Sequence, residues 1–223
     1  AAACAAAGIV VGVASLTGIG LRMSELIITL SGGHLFPALV LTAMGSVILG
    51  MGLPTTAAYV VLAALGAPAL VELGAPLLAA HLFIFYFGCI SNVTPPVSLA
   101  AYAAAGLSGA DPLRTGVMAM GLALPGFLVP FLFVHEPALL LEGPWWWILI
   151  TSGTAALGVA ALAAAVMGFL RSPLSVARRI LLAAAALLLL VPGGWSDVLG
   201  LAAAVAIFVT DTPSPPPPGA VPP

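Results

Sequence analysis

The backbone of this chain is interrupted twice inside apolar sequence, and no other feature restricts its fold as much. Residues 50–61 read GMGLPTTAAYVV and residues 91–102 read SNVTPPVSLAAY. Each interruption gathers helix breakers with side-chain oxygens, in tracts (35–71 and 73–110) that hold no Asp, Glu, Lys or Arg. A turn lying among headgroups would attract charge or Asn/Asp, and GMGLPTT has neither.

Composition sets the surroundings of these breaks. Hydrophobic residues make up 62% of the chain and charged residues 5%, against about 25% charged in soluble domains. Apolar tracts of spanning length recur, so an all-α integral membrane protein in a lipid bilayer is expected. The formal net charge is −2 and the five cations are scattered arginines, which excludes a nucleic-acid partner. Cys4 and Cys89 read as small hydrophobes within apolar segments. His34, His81 and His135 lack the spacing of a zinc site. No cofactor is implied. The abrupt start AAACAAAGIVVGV, without Met, basic region or cleavage signature, reads as a cut from a longer protein.

Along the chain, 4–21 form a first apolar segment, and Arg22 and Glu25 follow three apart on one helical face, able to pair. Residues 35–51 and 55–71 are arms of about 25 Å each at ~1.5 Å per residue. They fall short of the ~30 Å hydrocarbon core and so fit either a re-entrant hairpin or two short tilted spans; the uncharged turn favours the hairpin. As one helix, 77–107 would run ~46 Å; cut at SNVTPP it becomes two half-helices, 77–90 and 97–107. Residues 113–134 make a span kinked at Pro125 and Pro130, and 134–147 a loop ending in three tryptophans. A span over 145–170 leads to the basic stretch RSPLSVARR (171–179). Segments 180–191 and 198–209 then form a short hairpin or one broken span. The Pro-rich 211–223 tail reads as polyproline-like and disordered. With Arg171, Arg178, Arg179 and Arg114 placed in the cytoplasm, the 35–71 hairpin opens outward and 77–107 runs inward. Arg22 does not fit that count and leaves the topology of residues 1–34 open.

A broken membrane helix leaves N–H and C=O groups unpaired at several kcal/mol each, so it survives only in protein or beside a wet cavity. Carbonyls freed at the breaks, with Thr55, Thr56, Ser91, Asn92 and Thr94, are ligands for a hard, weakly bound cation such as Na⁺. Half-helix N-termini offer N–H groups and a positive dipole end to a carboxylate. Pro54 and Pro96 are expected at the start of the following helix, where a missing N–H costs nothing. Interrupted segments meeting at the midplane are the pattern of secondary transporters. The absence of ionisable residues at the breaks favours Na⁺ over a proton relay.

Two stretches, ILGMGLPTTAAYVVLAALGAPALVELGAPLLAAHLFIFYFG and SNVTPPVSLAAYAAAGLSGADPLRTG, closely resemble the large membrane subunit of tripartite ATP-independent periplasmic (TRAP) transporters. The resemblance is to the fused-permease type, covers about 1–142, and extends to the PGGWSD region. It implies an elevator transporter of the ion-transporter superfamily, built from two inverted repeats of one hairpin and one broken helix. It further implies Na⁺-driven import of organic acids, commonly carboxylates, across a bacterial or archaeal inner membrane. The partner would be a periplasmic substrate-binding protein, of TAXI type in many fused permeases. Carried onto this chain, the hairpin tip is Gly50–Thr56, with Gly50, Gly52, Pro54, Thr55 and Thr56. The discontinuity is Ser91–Pro96, with Ser91, Asn92, Val93, Thr94, Pro95 and Pro96. Only one such pair is present, so the chain is expected to be the C-terminal part of a permease that needs its N-terminal part. The layout implied is a transport region (1–142), a C-terminal membrane extension (143–210) and a tail (211–223).

Other readings are another ion-coupled transporter of that superfamily, a structural membrane scaffold, or an intramembrane enzyme using Ser91 or Thr94 with His81. His81 lies about 15 Å along the helix from Ser91, a poor nucleophile–base geometry.

Overall fold

The computed structural model describes residues 2–191 and 193–211; the side chains of 2–4, 7 and 15 are outside that description, as are Pro192 and the 212–223 tail. The described residues are helical with no β-strand, and only an isolated bridge joins Phe169 to Pro173. The all-α membrane expectation therefore holds. The chain divides into two compact units, Ala1–Leu140 and Leu141–Pro223.

The first unit begins with α1 (Ala2–Thr17) and α2 (Ile19–Leu30). They bend by 72° at Gly18, whose φ of +67° belongs to the left-handed region that glycine occupies without strain. Arg22 and Glu25 on α2 are both exposed, and no ion pair within 4 Å joins them. Next come α3 (Leu35–Gly50), α4 (Thr55–Glu72) and α5 (Leu77–Ile90), which pack on one another. A 3₁₀ turn at Ser91–Val93 follows, then α6 (Leu99–Ser108) and α7 (Pro112–Ala123). Asp111 starts α7, its carboxylate accepting the Arg114 N–H at 2.8 Å with Pro112 at the first helical position. A 3₁₀ stretch at Leu124–Leu128 carries Pro125, and α8 (Val129–His135) continues it.

Small residues set how closely these helices approach. Ala38, Ala58, Ala69, Ala79 and Ala80 are fully buried, as expected where close packing, not aqueous exclusion, holds membrane helices together. The larger side chains gather on α5: the Phe83 and Phe87 rings are tilted by 52° with centroids 4.9 Å apart, and Phe131 of α8 meets Phe83 edge-on at 5.1 Å. Such pairs contribute about 0.5–1.5 kcal/mol beyond area burial. They anchor α5 rigidly just before the chain breaks at 91–98.

Three stretches among the described residues are long and apolar enough to cross a membrane: Thr55–Glu72, Pro112–His135 and Trp145–Met167. Shorter apolar helices occupy Leu35–Gly50, Leu77–Val93 and Leu99–Ser108.

The second unit is α9 (Trp145–Met167), α10 (Val176–Leu190) and α11 (Gly194–Thr210). Of the two sequence alternatives for this region, the structure has the hairpin. Gly200 of α11 packs so closely on α10 that an added Cβ would sit 2.9 Å from the Ala185 carbonyl oxygen and 2.9 Å from Leu189 Cγ. Gly200→Val should therefore lower thermal stability by about 1–3 kcal/mol, the usual cost of overpacking. Tryptophan-monitored melting in detergent would read it, and an unchanged midpoint would rule the contact out. Helix α10 starts four residues earlier than the expected 180 because Ser175 caps it, accepting the Arg178 N–H at 3.4 Å. The first helical turn thus holds Arg178 and Arg179.

That unfavourable placement of cations at a positive helix end is offset by two partners. Arg179 donates to the Ala165 and Val166 carbonyls at 2.9 and 2.7 Å, closing the C-terminus of α9. Arg178 lies 3.7 Å from Asp211, just past the end of α11. The buried Asp211 carboxylate also accepts the Ser172 hydroxyl and the N–H groups of Arg171 and Ser172 at 2.9 and 3.2 Å. The Ser172 hydroxyl first, then the Arg171 amide, hold its pKa below the ordinary carboxylate value. This contribution to stability is complete above about pH 4, the ordinary Asp pKa. It is lost as pH falls through the lowered folded-state value. Asp211→Asn should flatten the fall of the melting temperature below about pH 4, and parallel pH profiles would contradict the assignment.

Candidate functional site

The chain leaves the helix at both breaks. Helix α3 ends at Gly50, and the Leu53 N–H donates back to the Gly50 carbonyl at 3.2 Å. Met51 is extended (φ −62°, ψ 122°) and Gly52 has φ +84°, the backbone of a type II turn, whose third position needs glycine. Pro54 immediately precedes α4, as expected. Thr55 is half-buried and Thr56 exposed, and neither side chain makes a hydrogen bond among the described residues.

At the second break the hydroxyls turn back on the helix they end. Ser91 Oγ donates to the Gly88 carbonyl at 2.7 Å, and Thr94 Oγ1 donates to Ile90 at 2.9 Å. The Asn92 amide reaches Gly88 and Cys89 through long 3.4 Å contacts, leaving its side-chain carbonyl oxygen without a partner among the described residues. Ser91 and Thr94 are buried, Asn92, Val93 and Pro95 half-buried, and Pro96 exposed. The Pro95–Pro96 peptide is cis. Pro96 does not start the next helix, contrary to the sequence expectation. The chain runs through Val97 to Ser98, which is left-handed (φ 31°, ψ 48°), and α6 begins at Leu99. The Ser98 N–H bonds the Thr94 carbonyl at 3.2 Å, which closes this turn and delays the helix.

The two breaks meet. A Cβ added to Gly50 would lie 2.8 Å from Ser91 Oγ, 3.2 Å from Ser91 Cβ and 3.6 Å from Gly88 Cα. Gly52 stands beside Val97, its added Cβ 3.9 Å from Val97 Cγ1. The ends of α3 and of α5 with its 3₁₀ turn are therefore in contact, and both are C-terminal ends. Each presents a negative dipole end and unpaired carbonyls. At α3, Val47 and Gly50 accept from Met51 and Leu53, while Ile48 and Leu49 accept no such bond among the described residues. At the 3₁₀ turn, Asn92 has only Pro95 and Pro96 at the positions whose N–H could reach its carbonyl. Val93 likewise accepts no bond among the described residues. The junction is thus rich in acceptors and contains no ionised side chain.

The structure brings Gly50 to Ser91 and Gly52 toward Val97; no contact is recorded between Thr55 or Thr56 and residues 91–96. Two features were missed in the sequence. Gly88 serves as the carbonyl that receives both Ser91 and Asn92. Tyr102 donates its hydroxyl to the Pro96 carbonyl at 2.6 Å, tying the start of α6 to the break. The nucleophile–base pairing is not formed: His81 Nδ1 lies 3.0 Å from the Tyr59 hydroxyl, and Ser91 is engaged with Gly88. Among the described residues no three His, Cys, Asp or Glu side chains gather into a metal-holding group, and Cys89 is a free thiol.

A family model described as "Tripartite ATP-independent periplasmic transporter, DctM component" matches residues 1–148. No curated protein and no solved structure matches the chain.

Proposed function

Since this chain belongs to the DctM family of tripartite ATP-independent periplasmic transporters, we propose that it forms part of a permease that imports organic acids, carboxylates foremost, on a Na⁺ gradient. The membrane is the inner membrane of a bacterium or archaeon. A periplasmic substrate-binding protein, of TAXI type, delivers the acid. The second hairpin and broken helix implied by inverted repeats come from another part of the permease, its N-terminal part.

The observation that carries this reading is the contact of Gly50 with Ser91. It joins two helix C-termini whose carbonyls lack donors, and a hard monovalent cation is the ligand such a cluster of neutral oxygens suits. Ser91, Asn92 and Thr94 at this junction, and Thr55 and Thr56 at the start of α4, are the further oxygens the reading assigns to the cation. The following helices, α4 and α6, begin at the same breaks. Their N-termini offer N–H groups and positive dipole ends, suited to the carboxylate of the substrate. Cation and anion are thereby held by opposite helix ends of one paired break, which couples their binding through mutual attraction. Neutral ligands keep the cation exchangeable, as a coupling ion must be.

The test is Na⁺-dependent uptake by the complete permease with its binding protein. Thr55→Ala and Asn92→Ala should each raise the Na⁺ concentration for half-maximal uptake several-fold. If both leave uptake and its Na⁺ dependence intact, the breaks are structural kinks and the scaffold reading replaces this one.

A further inference from the structure

Three of the five arginines stand where α9 ends and α10 begins, and the transport reading gives them no task beyond orientation in the membrane. Their side chains are held in place. Arg179 spends Nε and Nη2 on the Ala165 and Val166 carbonyls. Arg171 lies over the Phe208 ring, 3.8 Å from its centre. Arg178, with 44% of its side chain exposed, pairs with Asp211 at 3.7 Å. Asp211 is the one carboxylate within ion-pair distance of this cluster, so Arg171 and Arg179 face no carboxylate among the described residues.

Beside Arg179 runs a groove of about 350 Å³ lined by Ala165, Val166, Val176, Ile180 and Ala183. Val176 and Ile180 are 72% and 65% exposed. A groove lined by one guanidinium and otherwise by aliphatic side chains matches an amphiphile of opposite charge. We infer that it seats an anionic phospholipid, with its phosphate on Arg179 and Arg178 and its acyl chain along Val176, Ile180 and Ala183. The uncompensated positive charge selects against zwitterionic lipid, and the apolar walls have no use for a free phosphate ion. Arginines fixed by carbonyls and carboxylate lose little freedom when a phosphate arrives. This inference does not depend on the transport reading.

Native mass spectrometry of the complete permease in detergent, titrated with phosphatidylglycerol or phosphatidylcholine of equal chain length, tests it. A preference for phosphatidylglycerol on the order of tenfold is expected, from Arg179, which faces no carboxylate among the described residues, together with Arg178, which shares its charge with Asp211. Val176→Asp puts a carboxylate in the lining of the groove, in the first turn of α10, where a negative charge favours the helix. It should bring the preference close to parity without lowering the melting temperature. Arg178→Gln, which leaves the Arg179 bonds in place, should reduce the preference about threefold. Equal retention of the two lipids overturns the inference, as does an unchanged preference in both variants. Full displacement of the lipid by millimolar inorganic phosphate also overturns it, because the groove would then contribute nothing.

Discussion

Gly50→Val is expected to reduce Na⁺-dependent uptake by the complete permease more than tenfold. The smallest side chain at this position already puts a Cβ 2.8 Å from Ser91 Oγ and 3.2 Å from Ser91 Cβ. Both neighbours belong to a buried turn anchored by the Ser91–Gly88 hydrogen bond, so neither can swing aside. The two helix ends must separate, at a cost of about 1–3 kcal/mol, and the carbonyls they hold together separate with them. The comparison is Gly45→Ala on the same helix, where an added Cβ meets no atom within 4 Å. That variant should transport normally and gain as much as about 1 kcal/mol of helix propensity. Uptake rates and melting temperatures of both variants separate a junction effect from a general intolerance of glycine replacement in α3. Equal uptake by Gly50→Val and Gly45→Ala would dismiss the junction.

Pro96→Ala is the second large effect expected, and it acts on the carbonyls without crowding them. Asn92 lacks donors because Pro95 and Pro96, three and four positions on, supply no N–H, and Pro96 is also the residue three positions on from Val93. Alanine at 96 provides one, and that N–H competes for a carbonyl with a net of about 0.5–1.5 kcal/mol. Apparent Na⁺ affinity should fall by up to about tenfold. Pro68→Ala restores an N–H within α4, inside an ordinary helix, and should leave Na⁺ dependence alone. A folded Pro96→Ala protein with wild-type Na⁺ dependence would mean that the free carbonyls are not ligands.

Much of this fold is legible in the residue order because membrane helices advertise themselves locally. Apolar runs ended by Gly50 and resumed at Thr55 place α3 and α4 to within a residue or two, since a type II turn at Met51–Gly52 leaves little choice. The same holds for the end of α5 at Ile90, where Pro95 and Pro96 forbid continuation. The start of α6 was misplaced because nothing in VTPPVS shows that Ser98 takes a left-handed backbone; that follows from the Thr94 carbonyl catching the Ser98 N–H. The start of α10 was misplaced for a related reason: the charge of Arg178 and Arg179 suggested a loop. Their helical placement depends on Asp211, more than thirty residues on, and on the exposed carbonyls of α9. Contacts between residues far apart in sequence leave no local mark. The closeness of Gly50 to Ser91 was of that kind: the composition of each break suggested a shared site, but only the packing of α3 on α5 explains why residue 50 has no side chain.

On the proposed reading, the paired breaks form a cation site from neutral oxygens. Calorimetric titration of NaCl, with choline chloride as the reference, into the purified complete permease tests it most directly. Saturable Na⁺ binding by the wild type, weakened by Pro96→Ala and lost in Gly50→Val while Gly45→Ala binds normally, is the predicted result. Wild-type Na⁺ binding in the folded Gly50→Val protein would contradict it.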